Sequence, residues 1–190
     1  MIMEKKKYLP LKVIHLAFMV LGLCLYVYAL TKAKSVLTTT SAYLIGILPT
    51  IIAILALISG FIYLVHGYKK NAAAYYKGFV WILLIKEIIT TVSGNIMSSS
   101  LLMYVRVIDL VLLTILTVGK DLGKTKSLTL VGLIFVGKMI VFVNYLISLQ
   151  SLGLGVTARG VDSIGQIILT VTTCLMVIGK YLNKAERGTK

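Results

Sequence analysis

The sequence predicts an all-α polytopic integral membrane protein: a bundle of six transmembrane helices arranged as three hairpins, with both termini cytoplasmic. Three observations carry this. The 190 residues are 58% hydrophobic with a mean hydropathy of +0.97, whereas soluble domains are about 45–50% apolar. Six apolar runs are close to the roughly 20 helical residues that a hydrocarbon core requires. The links between the runs alternate between strongly basic and nearly uncharged. Six spans with short links occupy almost the whole chain, so residues 1–190 are expected to form a single transmembrane domain.

The N-terminus is basic through Lys5, Lys6 and Lys7, Lys12 follows, and residues 13–30 form the first span. This run outlasts the apolar core of a secretion signal, about 7–15 residues, and no small-residue cleavage site follows, so it reads as a retained helix. A polar link with Lys32 and Lys34 leads to the second span, 42–66. That span contains Pro49, an expected kink. It also places Gly46, Ala53, Gly60 and Gly67 one heptad apart, a smooth seam that lets a neighbouring helix approach closely. A basic link, 68–77, precedes the third span, 78–97. An uncharged turn at 98–100 joins it to the fourth, 101–118. The link 119–127 is basic again through Lys120, Lys124 and Lys126. The fifth span covers 128–149, a Gly-rich link covers 150–160, and the sixth span covers 161–181 before a basic tail.

Most positive charge lies at the N-terminus and after spans two, four and six, which by the positive-inside rule puts both termini in the cytoplasm. The net charge of +14 sits at span ends rather than on one face. It therefore points to anionic membrane lipids as partners and away from nucleic acid. A Lys- and Ile-rich chain without a eukaryotic sorting signal suggests a bacterial plasma membrane.

Function is expected where charge enters the apolar runs. Lys86 and Glu87 are adjacent in span three, Arg106 and Asp109 share a face of span four, and Lys138 lies mid-way along span five. Each costs about 2.5–3.5 kcal/mol at a bilayer centre unless it is paired or hydrated. Adjacent helical residues face apart, so the pairs should form across helices: Glu87 with Arg106 or Lys138, and Lys86 with Asp109. Those five groups leave one cation over, which favours a small anionic solute, an anionic lipid headgroup reaching in, or a lysine that desolvation leaves neutral. Polar flanks add further binding candidates: Asn95 beside Glu87 and Thr91, Asn144 on span five, and Asp162 with Gln166, Thr170 and Thr173 on span six.

A weak internal repeat accompanies these charges. Residues 67–86 and 119–138 span equal lengths from Gly to Lys, and an Arg-x-x-Asp string follows each lysine, ending at Asp109 and at Asp162. Spans three–four and five–six would then be copies of one hairpin, as in carriers built from parallel repeats.

His15 and His66 fall at similar depth, but His66 is placed to cap a helix end, so no metal or cofactor is expected. Cys24 and Cys174 read as packing residues, and no enzyme motif is present. The expected function is that of a small membrane transporter or membrane-embedded solute-binding component, with its site between spans three to six. The alternatives are a non-catalytic membrane subunit (for assembly, immunity or sensing) that binds a partner helix, or an oligomeric channel.

Overall fold

The computed structural model describes residues 9–33, 40–67, 72–94, 100–119, 122–123, 124–152 and 158–187. Among them the chain is helical, with no strand. The helices are α1 (Leu9–Ala33), α2 (Thr40–Ile62), α3 (Ala72–Gly94), α4 (Ser100–Val118), α5 (Lys124–Leu152) and α6 (Ala158–Arg187). A π-helical turn, Tyr63–Gly67, prolongs α2.

Four of these, α1, α2, α5 and α6, contain stretches long and apolar enough to cross a membrane. α3 is interrupted by Lys77, Lys86 and Glu87, and α4 has only 19 residues, with Arg106 and Asp109 among them.

Several helices overrun the apolar limits expected from sequence, because hydrophobicity marks only the apolar stretch while the backbone coils on until something stops it. α1 begins at Leu9, with Pro10 in the first turn, where its missing N–H is no loss. α3 starts at Ala72 rather than 78, since Ala72, Ala73 and Ala74 are the strongest helix formers. α2 continues as α-helix through Pro49. Between α4 and α5 the chain turns at Gly123, whose φ of +72° favours a residue without a Cβ. Ser127 N–H then donates to the Gly123 carbonyl at 3.2 Å.

Each helix packs on its successor and α6 packs back on α1, so the six close into a ring; α6 also touches α2 and α3. Small residues set the close approaches among α1, α2 and α6. A Cβ on Gly60 would lie 2.5 Å from Cε of Met19, one on Gly22 would crowd Leu57 and Ile168, and one on Gly165 would lie 2.5 Å from Cζ of Tyr26. Of the expected heptad seam, Ala53 and Gly60 are buried; Gly46 and Gly67 have side-chain positions outside those described. The Tyr63 hydroxyl donates to the Met176 carbonyl at 2.9 Å, tying the π-turn to α6.

Polarity is turned inside out relative to a water-soluble bundle. Trp81, Ile85, Ile88 and Val92 form an exposed stripe on α3, and Val107, Ile108, Val111 and Ile115 form one on α4. Lys86, Glu87, Asp109 and Lys138 are buried. α6 exposes no large apolar side chain among its described residues, and its threonines 170, 172 and 173 face inward.

Candidate functional site

The buried charges converge on one place. Lys138 is the middle residue of α5 and Asp109 that of α4. The Lys138 ammonium lies 2.8 Å from Oε2 of Glu87 and 3.0 Å from Oδ2 of Asp109, so one cation bridges carboxylates from two helices. Gly137 makes the approach possible: a Cβ there would stand 2.5 Å from Oδ1 of Asp109, so the carboxylate occupies the space a side chain would take.

Lys86 does not meet Asp109, as the sequence suggested. Its ammonium turns to the α6 side, 3.8 Å from Oδ1 of Asp162. The reason is geometric. Lys86 and Glu87 are adjacent and face different neighbours, Glu87 takes the α5 side, and the long lysine stem reaches Asp162, near the start of α6. Asp162 also accepts a 2.7 Å hydrogen bond from Nε2 of Gln166, one turn along. Among the described residues Arg106 meets no carboxylate within salt-bridge distance; its Nη1 donates to the Thr90 carbonyl at 3.5 Å.

With Asp162 included, Lys86, Arg106 and Lys138 balance Glu87, Asp109 and Asp162. The surplus cation that favoured an anionic solute disappears. The two lysine–aspartate pairs also cross between hairpins: Lys86 of α3–α4 meets Asp162 of α5–α6, and Lys138 of α5–α6 meets Asp109 of α3–α4.

Beside the cluster is a cavity of about 30 Å³, lined by Lys86, Glu87, Lys138, Gln166, Thr170 and Thr173 among others. It has room for a water molecule or two. The Lys86 ammonium, 2% exposed as a residue, makes no hydrogen bond among the described residues. Both Asp109 carboxylate oxygens likewise lack one: the 3.0 Å contact with Lys138 is close but not aligned as a hydrogen bond. On the α1 side the buried Tyr26 hydroxyl lies within electrostatic range of Asp162 and Glu87, and is also without a partner among the described residues. Several flanking hydroxyls are occupied by their own helices. Thr90, Thr170 and Thr173 donate to carbonyls four residues back.

Not every candidate joins. Asn144 lines an open groove on α5 with Phe135, Met139 and Val143, away from the charges. Asn95 lies outside the described residues. His15 packs on Tyr63 at 5.9 Å between ring centroids and His66 stacks on Tyr75 at 6.2 Å, so each imidazole faces a different aromatic ring.

Asp162 is among the binding candidates the sequence offers, and Gly137 falls on the polar flank of span five with Asn144; the sequence does not single out Tyr26 for the site. The Arg-x-x-Asp repetition was the available signal for Asp162; a lone Gly one residue before a buried Lys offered little for Gly137.

No family model, curated protein or solved structure matches the chain.

Proposed function

We propose that the chain is a small multi-spanning membrane transporter or membrane-embedded solute-binding component. In this reading all six helices cross the bilayer as three hairpins, with both termini cytoplasmic in a bacterial plasma membrane. Basic link residues contact anionic lipid headgroups. α3 and α4 cross despite their charges because those charges face the interior while apolar stripes face outward.

One observation carries the reading: the reciprocal lysine–aspartate pairs between the two hairpins. An assembly subunit awaiting a partner helix would hold such charges on an outer face. Here a single chain buries and pairs them. Two hairpins joined by paired charges are also a suitable hinge for alternating access, in which one repeat rocks against the other around a midplane site. Lys138 holds the site together, with Glu87 and Asp109 as its counter-charges. Lys86 and Asp162 form the second, looser clasp, at 3.8 Å.

The test uses purified protein in proteoliposomes on a solid-supported membrane, challenged with panels of small organic anions, organic cations and zwitterions. Transport currents are expected for at least one class, with K138A abolishing them. Absence of current from every class, or a K138A variant that conducts like the parent, would refute the transporter reading.

A further inference from the structure

The charge cluster runs from the partly exposed start of α6 to the middle of α4 as two ion-paired groups that meet at the neighbouring residues Lys86 and Glu87 of α3 and share the cavity these two line. Asp162, whose side chain is 30% exposed, faces Lys86; Lys86 is followed by Glu87; Glu87 faces Lys138; Lys138 faces Asp109, which is 1% exposed. The cavity beside Lys86, Glu87 and Lys138 admits water and is too small for an organic solute. Asp162 alone is substantially exposed, at the end of the bundle where α6 begins; the other four side chains are 6% exposed or less.

We propose that this series is a proton-binding site whose terminal acceptor is Asp109 and whose entrance is Asp162, opening on the side where α6 begins. Its use as the coupling site of a carrier rests on the transport reading above; its capacity to bind a proton does not.

Charged and titratable groups reach the series from several walls: Tyr26 on α1 near Asp162 and Glu87, Lys86 and Glu87 on α3, Arg106 on α4 near Glu87, Lys138 on α5 and Gln166 beside Asp162 on α6. Within the ion-contact series itself, three carboxylates share two ammonium groups, so one carboxylate can become neutral and still leave each ammonium a partner. Asp109 is that carboxylate. Its Oδ1 rests against Gly137, and neither oxygen receives an aligned hydrogen bond. Glu87 keeps the shorter contact with Lys138.

In the step, a hydronium ion on the Asp162 side gives up its proton and becomes water. The proton passes from Asp162, beside Lys86 and Gln166, through cavity water to Glu87, and from Glu87 to the Asp109 carboxylate that shares Lys138 with it; Asp109 becomes a carboxylic acid. Lys138 stays charged and is held by Glu87 alone. On release the same proton returns to water and the Asp109–Lys138 contact re-forms.

Infrared difference spectroscopy of the reconstituted protein between acidic and neutral buffer tests this without any solute. The expected result is a carboxylic-acid carbonyl band at acidic pH that D109N removes. D162N changes a half-exposed residue near a helix end and leaves the core packing alone. It should retain the band but slow its appearance after a pH jump by roughly a hundredfold, the order associated with losing a positioned proton-transfer group. A spectrum without the band, a band unaffected by D109N in protein that still folds, or a D162N variant as fast as the parent would overturn the proposal. Solute currents that persist without the band would leave the carrier reading intact and sink only the proton site. A band without solute currents would do the reverse.

Discussion

Lys138 is a single ammonium shared by two carboxylates, and this governs what a charge exchange at the site must do. Replacing one member of a buried pair costs about 3–5 kcal/mol, because the other is left uncompensated in low dielectric. E87K and K138E alone should each destabilise the protein by that order, read as a lowered thermal unfolding midpoint in detergent. A simple pair would be rescued by combining them. Here the carboxylate introduced at position 138 would face Asp109, 3.0 Å from the present ammonium. The double variant should therefore recover only in part, and adding D109N should recover the rest. Full recovery in the double variant would show that Asp109 is not a partner. The neighbouring glycine gives an independent check at the same scale. G137A would force its methyl group into the Asp109 carboxylate and should destabilise by about 1–3 kcal/mol, the usual cost of overpacking. In the D109A background the same change should cost far less.

At the scale of helices, α1, α2 and α6 interlock through glycines that each receive a bulky side chain: Gly60 with Met19, Gly22 with Leu57 and Ile168, and Gly165 with Tyr26. G165A should destabilise by about 1–3 kcal/mol because its methyl group meets the Tyr26 ring. Y26L should relieve that clash and Y26F should not, since the ring itself is the obstacle. Thermal unfolding of the two double variants distinguishes them. The elements themselves were legible in the sequence because apolar runs separated by basic or Gly-rich links leave few other readings. Their ends were less so. Ala72–Ala74 coil because of backbone preference, which hydrophobicity does not report. Of the site, Glu87, Asp109 and Lys138 could be found because charge in oil is costly wherever it points. The partner of Asp162 was not legible, because its distance from the start of its own helix says nothing of how far a lysine on another helix can reach. Gly137 falls on the polar flank of α5, but its role as a seat for the Asp109 carboxylate exists only once α4 lies against α5.

For the molecule as a whole, the outward apolar stripes of α3 and α4 and the inward charges are, on the proposed reading, two sides of one adaptation to a solvent that cannot hydrate ions. If all six helices cross the bilayer, reporter fusions after residues 70, 122 and 187 should report the cytoplasm, as should one before residue 9. Fusions at 97 and 155 should report the opposite side. A cytoplasmic signal at 97 would mean that α3 and α4 do not cross. The α1–α6 contact has a separate consequence. Gly22 meets Ile168 while Tyr26, further along α1, meets Gly165, so the two helices run in opposite directions. The beginning of the first and the finish of the last consequently lie at one end of the barrel of helices. Sewing them together with a short flexible tether and cutting the loop before Lys124 would rearrange gene order without rearranging neighbours. Such a circular permutant should melt within a few degrees of the parent, which would mean that the order in which helices enter the membrane is a matter of history rather than of packing.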